Sequence, residues 1–371
     1  MLTASHARIL RLINQAGALS RAELGAELGV SKATMSALIS DLVERGMLVE
    51  NEIVYGAGRP SAKLGLEAGS AFFIGISIAT NPFTAVVVNL HGEVVAFDPI
   101  EASEDPKVIA REVANVVKRR LEKEPALQDR LGGIGIAVPG LVDHAAGVCV
   151  RSTVLGWRDV AIGALVQEAV GLPTFIENDA NAMALGEHMF GSLRGADLCS
   201  LISVGDGVGC GHIINGQLHR GAHGGSGEIA HATIQINGTP CQCGKRGCLD
   251  TIASLRAIRI QARAAGLPEN LAELDAAATR GDQAAIGVLH HAGVALGVAA
   301  SHIIQILDAG KIVIAFAEGP EDGLFARVAR QTLMSNVMNA DQADIAMVAM
   351  KPDLGAVGAA AVAASRSLFQ M

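Results

Sequence analysis

The sequence has 371 residues, half of them apolar, and a formal net charge of −8 with histidine neutral. That length supports more than one domain and a large core, and no apolar run suggests a membrane span. The acidic balance excludes a protein that coats nucleic acid over its whole surface, but not a small DNA-reading module. Residues 1–65 carry seven Lys/Arg and six Asp/Glu, a local balance of +1. Residues 1–19 lack the order of a signal peptide, and six cysteines do not make the framework of a secreted disulfide protein. The expected compartment is the cytoplasm, with no membrane partner.

Within residues 6–15, Ile9, Leu10, Leu12 and Ile13 recur at helical spacing, and Gly17 ends the run. Ser20, with Glu23 three residues on, forms a capping box for a helix over 21–28 that stops at Gly29. Ser31 caps a third helix carrying Met35, Leu38, Ile39, Leu42 and Val43, which ends near Gly46. Helix, short turn, helix is the helix-turn-helix plan, whose second helix enters the major groove. On that plan Ser31, Lys32, Thr34 and Ser36 face DNA. Two β-prone pieces, 48–55 and 62–66, flank residues 56–60 and predict a wing. Arg59, between Gly58 and Pro60, is an extended basic tip suited to a narrow minor groove. A three-helix protein-interaction module with a surface hairpin is the alternative.

From residue 71 the pattern changes. Strands are predicted over 71–78, 84–90, 93–97, 131–138, 174–176, 199–204, 209–214, 311–315 and 345–348. Helices are predicted over 108–122, 160–170, 179–190, 251–265, 271–280, 283–307 and 354–368. The mixture implies α/β lobes with covered sheets. A hairpin followed by a crossover, at 71 and again at 199, hints at duplication. The domain boundaries are placed at 1–66 and 71–371.

Residues 221–250 hold His231, Cys241, Cys243 and Cys248 in a polar, glycine-rich stretch. Three thiolates and an imidazole make a Cys3His set, which suits structural Zn2+ with no open coordination position. Core cysteines or a disulfide are the alternatives. Lys245 and Arg246 sit among the cysteines and make a poor core. Cys149, Cys199 and Cys210 are expected in the core.

Three pieces together resemble one family. They are IENDANAMALGE at 176–187, GEIAHATI at 227–234 and CQCGKRGCLD at 241–250. With a winged helix in front, nearly the whole chain resembles a transcriptional regulator of the ROK family (repressors, open reading frames and kinases). The resemblance implies an α/β fold: an N-terminal, mainly α winged helix followed by two actin-like, ribonuclease-H-like lobes, with a sugar site in the cleft between them. It also implies site residues. In the family's kinases Asp179 matches the general base, and Asn178, Glu228 and His231 match residues that bind sugar hydroxyls. Gly140 and Asp250 match positions that face the sugar, and His231 also matches a zinc ligand. A carboxylate–amide–imidazole set can pair a ring of hydroxyls and leave few buried polar groups unmatched. Asn178 and Asp179 also suit a plain helix N-terminus.

The sequence departs from the kinase pattern in three places. The DxGGT that cradles ATP phosphates is matched by Ser77-Ile78-Ala79-Thr80-Asn81, without the acid or the glycines. Asp206, in Gly205-Asp206-Gly207-Val208-Gly209, puts a negative charge where the family has threonine beside phosphate. The late glycine cluster reads Ala315-Phe316-Ala317-Glu318-Gly319. No catalytic residue is therefore expected, since phosphoryl transfer depends on phosphate positioning and metal. Asp250 also stands where the family has glutamate, one methylene shorter.

The leading expectation is a DNA-binding repressor, a homodimer or homotetramer, whose partners are operator DNA and a sugar or sugar-phosphate effector. An active sugar kinase with a fused DNA-binding domain is the rival. A vestigial pocket with a protein effector is a third reading.

Overall fold

The computed structural model describes residues 2–54, 61–79, 81–338 and 343–369. The chain forms two compact units, Met1–Gly195 with Gly355–Met371, and Ala196–Leu354.

The first unit begins with α1 (Ala4–Ala16), β1 (Leu19–Ser20), α2 (Arg21–Leu28), α3 (Lys32–Glu44), β2 (Leu48–Val54) and β3 (Ser61–Leu66). The strands form a small sheet in the order β1-β3-β2. The expected capping box is present: the Ser20 amide donates to Glu23 Oε2 at 2.7 Å, and the Glu23 amide donates to Ser20 Oγ at 3.3 Å. Ile9, Leu10, Ile13, Leu24, Met35, Ile39 and Leu42 are buried together with Leu48 and Leu64, so the helical spacing read from the sequence is the core of this module. Arg59 and the rest of the 56–60 wing tip lie outside the described residues, as does Thr80.

Next come β4 (Phe72–Ser77), β5 (Phe83–Asn89), β6 (Val94–Ile100), α4 (Pro106–Lys123) and β7 (Leu131–Val138). They are followed by β8 (Leu141–Asp143), β9 (Val148–Ser152), β10 (Trp157–Val160), α5 (Ile162–Val170), β11 (Thr174–Asn178) and α6 (Asp179–Phe190). The main sheet has the order β11-β7-β4-β5-β6, antiparallel across β4, β5 and β6 and parallel across β4, β7 and β11. One face of α4 buries Ile109, Val113, Val116 and Val117, each such side chain contributing about 1.5–3 kcal/mol.

The second unit contains β12 (Leu198–Val204), β13 (Val208–Ile214), β14 (Gln217–His219), α7 (Asp250–Ala253), α8 (Leu255–Ala264) and α9 (Leu271–Thr279). Then follow α10 (Gln283–Leu307), β15 (Lys311–Phe316), α11 (Leu324–Ser335) and β16 (Asp344–Ala349). Its sheet runs β14-β13-β12-β15-β16. From the hairpin edge inward, both sheets have three antiparallel strands and then two parallel ones. The hairpin-then-crossover plan read from the sequence at 71 and at 199 is present in both sheets. The chain then returns to the first unit as α12 (Leu354–Ala364) and a closing turn, Ser365–Phe369.

Several expectations needed correction. The single helix expected over 251–265 is two, because Ser254 is extended (ψ 152°) and its side chain caps α8 by accepting from the Ala257 amide at 3.1 Å. The helix expected over 160–170 begins at Ile162, because Val160 belongs to β10 (Trp157–Val160), a strand outside those predicted. By length and composition α10 does reach the size of a membrane span, against the expectation that no run would. Its face, including Leu289, Leu296 and Ala300, is buried in the second unit's core.

Candidate functional site

In the first unit the site residues converge at the C-terminal end of β7 and β11. Asn178 is the N-cap of α6, its Oδ1 accepting from the Asn181 amide at 3.1 Å. Its Nδ2 donates to the Gly140 backbone oxygen at 2.9 Å and to Asp179 Oδ1 at 3.0 Å. The helix-cap role and an aimed carboxylate therefore coexist. Asp179 stands in the first turn of α6, where the helix dipole favours negative charge. Gly140 has φ +128°, and a Cβ there would run into the Arg151 carbonyl, so only glycine brings this carbonyl to Asn178. Buried Glu177, which sequence reasoning passed over, accepts from the Asn178 amide at 3.1 Å and from Asn181 Nδ2 at 3.3 Å. Its signal was an acid at the end of an apolar strand, directly before Asn-Asp.

In the second unit, His231, Cys241, Cys243 and Cys248 offer ligand atoms that all lie within 4.8 Å of one another. His231 Nδ1 is 3.6 Å from Cys241 Sγ, and Cys243 Sγ is 3.6 Å from Cys248 Sγ. Tetrahedral zinc with thiolates at about 2.3 Å holds its sulfurs about 3.8 Å apart, so the set fits such an ion. The thiols' ionisation points the same way. Burial opposes ionisation of Cys243, but the Lys245 amide, the neighbouring thiols and the Lys245 ammonium outweigh it and hold this thiol below its ordinary range. Burial first, and then the neighbouring sulfurs, push Cys248 up to about 12. A dication removes that conflict. His223 does not join the set.

With Nδ1 turned to the cysteines, His231 Nε2 faces Glu228 Oε2 at 4.0 Å. Asp250 is only 4% exposed and both of its oxygens are engaged: Oδ1 accepts from the Val208 amide at 3.2 Å and Oδ2 from Arg256 at 2.7 Å. It links the end of the cysteine loop to the turn before β13.

That same turn carries Asp206. Arg259 of α8 donates to Asp206 Oδ1 and to Glu318 Oε1, each at 2.5 Å. Two of the three departures from the kinase pattern are thus joined by one guanidinium. Asp206 is 79% exposed at its side chain, so each pair adds little stability. What the pairs do is occupy the space between these loops.

In the N-terminal module Ser31, Lys32, Thr34 and Ser36 are all exposed at the start of α3. Ser31 and Thr34 are partly engaged with each other. Ser31 Oγ accepts from the Thr34 amide at 3.2 Å and lies 2.9 Å from Thr34 Oγ1. Cys149, Cys199 and Cys210 are buried, as expected. Burial pushes Cys149 up to about 11 and Cys199 up to about 12.

Residues 73–366 match the ROK family, and residues 2–53 match the MarR family. The chain belongs to the ROK family. This ROK chain is 30% identical over 315 residues to the xylose repressor of Bacillus subtilis (strain 168), covering 82% of this chain and 80% of that one. It is 33% identical over 255 residues to the xylose repressor of Caldicellulosiruptor bescii, covering 67% of this chain and 63% of that relative's length. A glucokinase of Halalkalibacterium halodurans is 29% identical over 77% of this chain and 93% of its own. ROK relatives therefore include both named repressors and a named kinase. Among solved structures, a ROK family transcriptional regulator described as a homolog of the E. coli MLC protein has a TM-score of 0.78 and 28% identity, covering 98% of this chain and 96% of that one.

Proposed function

We propose that the chain is a DNA-binding transcriptional regulator, a repressor of sugar-metabolism genes that senses a sugar or sugar derivative without phosphorylating it. The observation that carries this reading is the fusion itself: a helix-turn-helix module with an exposed first turn on α3 stands ahead of a ROK domain. Residues 1–66 are the DNA reader and 71–371 the effector domain. Lys32 and Ser36 contact the major groove, Ser31 and Thr34 fix the helix start near phosphate, and Arg59 is the wing contact. A palindromic site needs two such modules, so the working form is at least a homodimer, and a homotetramer is a pair of these. The working compartment is the cytoplasm.

In the first unit the hydroxyl-pairing groups are Gly140, Asn178 and Asp179. In the second unit they are Glu228 and His231. Asp179 binds a hydroxyl and takes no proton. Asp250 supports the second set from inside its unit. Zn2+ held by His231, Cys241, Cys243 and Cys248 would neutralise the thiolates and fix the imidazole, leaving Nε2 for a ligand. The similar xylose repressors make D-xylose the first effector to try.

Selection from randomised duplexes, followed by titration at several salt concentrations, tests this reading. Sequence-selective binding that weakens with salt supports it, and indifference to sequence sinks it.

A second reading, an active sugar kinase, is favoured by one observation, the retained Asp179 beside Asn178. Sugar-dependent ADP release that is lost in Asp179→Asn would establish it.

A further inference from the structure

Helix α6 joins the sugar-site residues of the first unit to its DNA-reading module. It begins at Asp179, is twelve residues long, and so spans about 18 Å. Most of it is buried. A Cβ at Gly186 would sit 2.8 Å from Gly358 Cα on α12, so the two helices touch backbone to backbone. A helix packed that closely shifts as one body.

The turn after α6 is fixed to it. Glu187 Oε2 accepts from both the Ser192 amide and Ser192 Oγ at 2.7 Å. The Leu193 amide donates to Glu187 O at 3.1 Å, and His188 Nδ1 donates to Leu193 O at 3.2 Å. This turn aims Arg194 at the end of α1. Arg194 Nε donates to Asn14 O, and its Nη2 lies 3.4 Å from Ile13 O.

The last turn of α1 contains no basic residue of its own. A helix C-terminus leaves carbonyls without partners and favours a cation. Arg194 supplies both from the other end of α6. A cavity of about 270 Å³ opens at this joint, lined by Ile13, Asn14, Ala18, Leu66, Met189 and Arg194 among others, while α1 also packs against the closing turn Ser365–Phe369, where Leu368 and Phe369 are buried. A second polar tie, His91 Nε2 donating to Leu66 O at 3.0 Å, borders the same cavity.

We propose that Arg194 is the positioning residue through which α6 holds the DNA-reading module, so that a shift of α6 set at Asn178–Asp179 reaches the end of α1. The transmission step rests on the sugar-sensing reading above. The tie itself does not. A ligand that favours one position of α6 changes the module's placement by no more than its preference for that position, and DNA acts back on the ligand by the same factor.

Hydrogen exchange on the full-length chain tests both parts, using Arg194→Gln and the conservative Arg194→Lys. Without sugar, amides of residues 14–18 exchange about tenfold faster in Arg194→Gln, with α3 unchanged and Arg194→Lys partly restoring protection. Equal exchange in wild type and Arg194→Gln overturns the tie. D-xylose and D-glucose are then added. In wild type, protection at residues 178–183 is accompanied by a change at 14–18. In Arg194→Gln the first persists and the second is lost. A sugar response at 14–18 that survives in Arg194→Gln, or that is missing in wild type while 178–183 respond, overturns transmission. If neither sugar protects 178–183, the sensing reading fails for these sugars, and the sugar-free comparison still decides whether Arg194 holds the module.

Discussion

The side-chain amide of Asn178 donates to the backbone oxygen of Gly140 at 2.9 Å. One residue thereby caps α6, ties it to the turn after β7 and orients the Asp179 carboxylate. Asn178→Ala removes an N-cap worth about 1 kcal/mol, together with the tie to Gly140. The melting temperature should fall by roughly 2–4 °C, and any sugar response of the protein should disappear. Calorimetry with and without sugar reads both. An unchanged midpoint would show that the cap is not stabilising.

Chelation tests the cysteine cluster. The purified chain should release one zinc per chain to a strong chelator, and the second unit should then lose protection around residues 231–250. Cys243→Ser should lower zinc content and melting temperature together, because binding free energy at such a site is folding free energy. Full retention of stability after complete metal removal would contradict a structural role.

The Asp206–Arg259–Glu318 bridge predicts weak nucleotide binding. ATP with magnesium should leave the wild-type melting temperature unchanged. The double variant Asp206→Thr, Glu318→Gly removes two carboxylates from the loops that would meet phosphate and adenine, and should bind ATP measurably better by calorimetry. Tight ATP binding by the wild-type chain would overturn this.

The second unit should lose stability on mild acidification. Burial first, and then neighbouring His219, lower the His212 pKa from 6.5 to about 4. His212 shares a hydrogen bond with Ser200 Oγ at 2.8 Å. Between pH 6.5 and 4 the unfolded chain binds the extra proton, so stability is complete above 6.5 and falls as pH drops toward 4. The loss approaches about 3 kcal/mol. Denaturant melts across this window should show a slope that flattens in His212→Gln. An identical slope in the variant would assign the loss to other groups.

The elements of the DNA-reading module were legible because each one carries its own local signal. Ser20 and Glu23 mark a helix start, Gly29 a stop, and Met35, Ile39 and Leu42 a buried face. The strands of both main sheets were legible as apolar runs, apart from the three-residue edge strand β14 (Gln217–His219), which has only one apolar side chain. The small sheet β8–β10 was not, since its strands are three to five residues long and too short to establish a period. Helix α11 was passed over although Phe325, Val328, Ala329 and Leu333 keep helical spacing. The cysteine cluster was legible from ligand type and spacing. The Arg259 bridge and the Arg194 tie were not, because their partners lie 53 and 180 residues away in the chain. No local pattern records such pairs.

The most direct test of the central claim is fluorescence anisotropy of the full-length chain on its selected duplex, titrated with and without D-xylose and a panel of hexoses and their phosphates. The account predicts sequence-selective, salt-dependent binding that one of these sugars shifts by about 5- to 150-fold, with the shift lost in Asp179→Asn. Selective DNA binding that no sugar in the panel alters would contradict it.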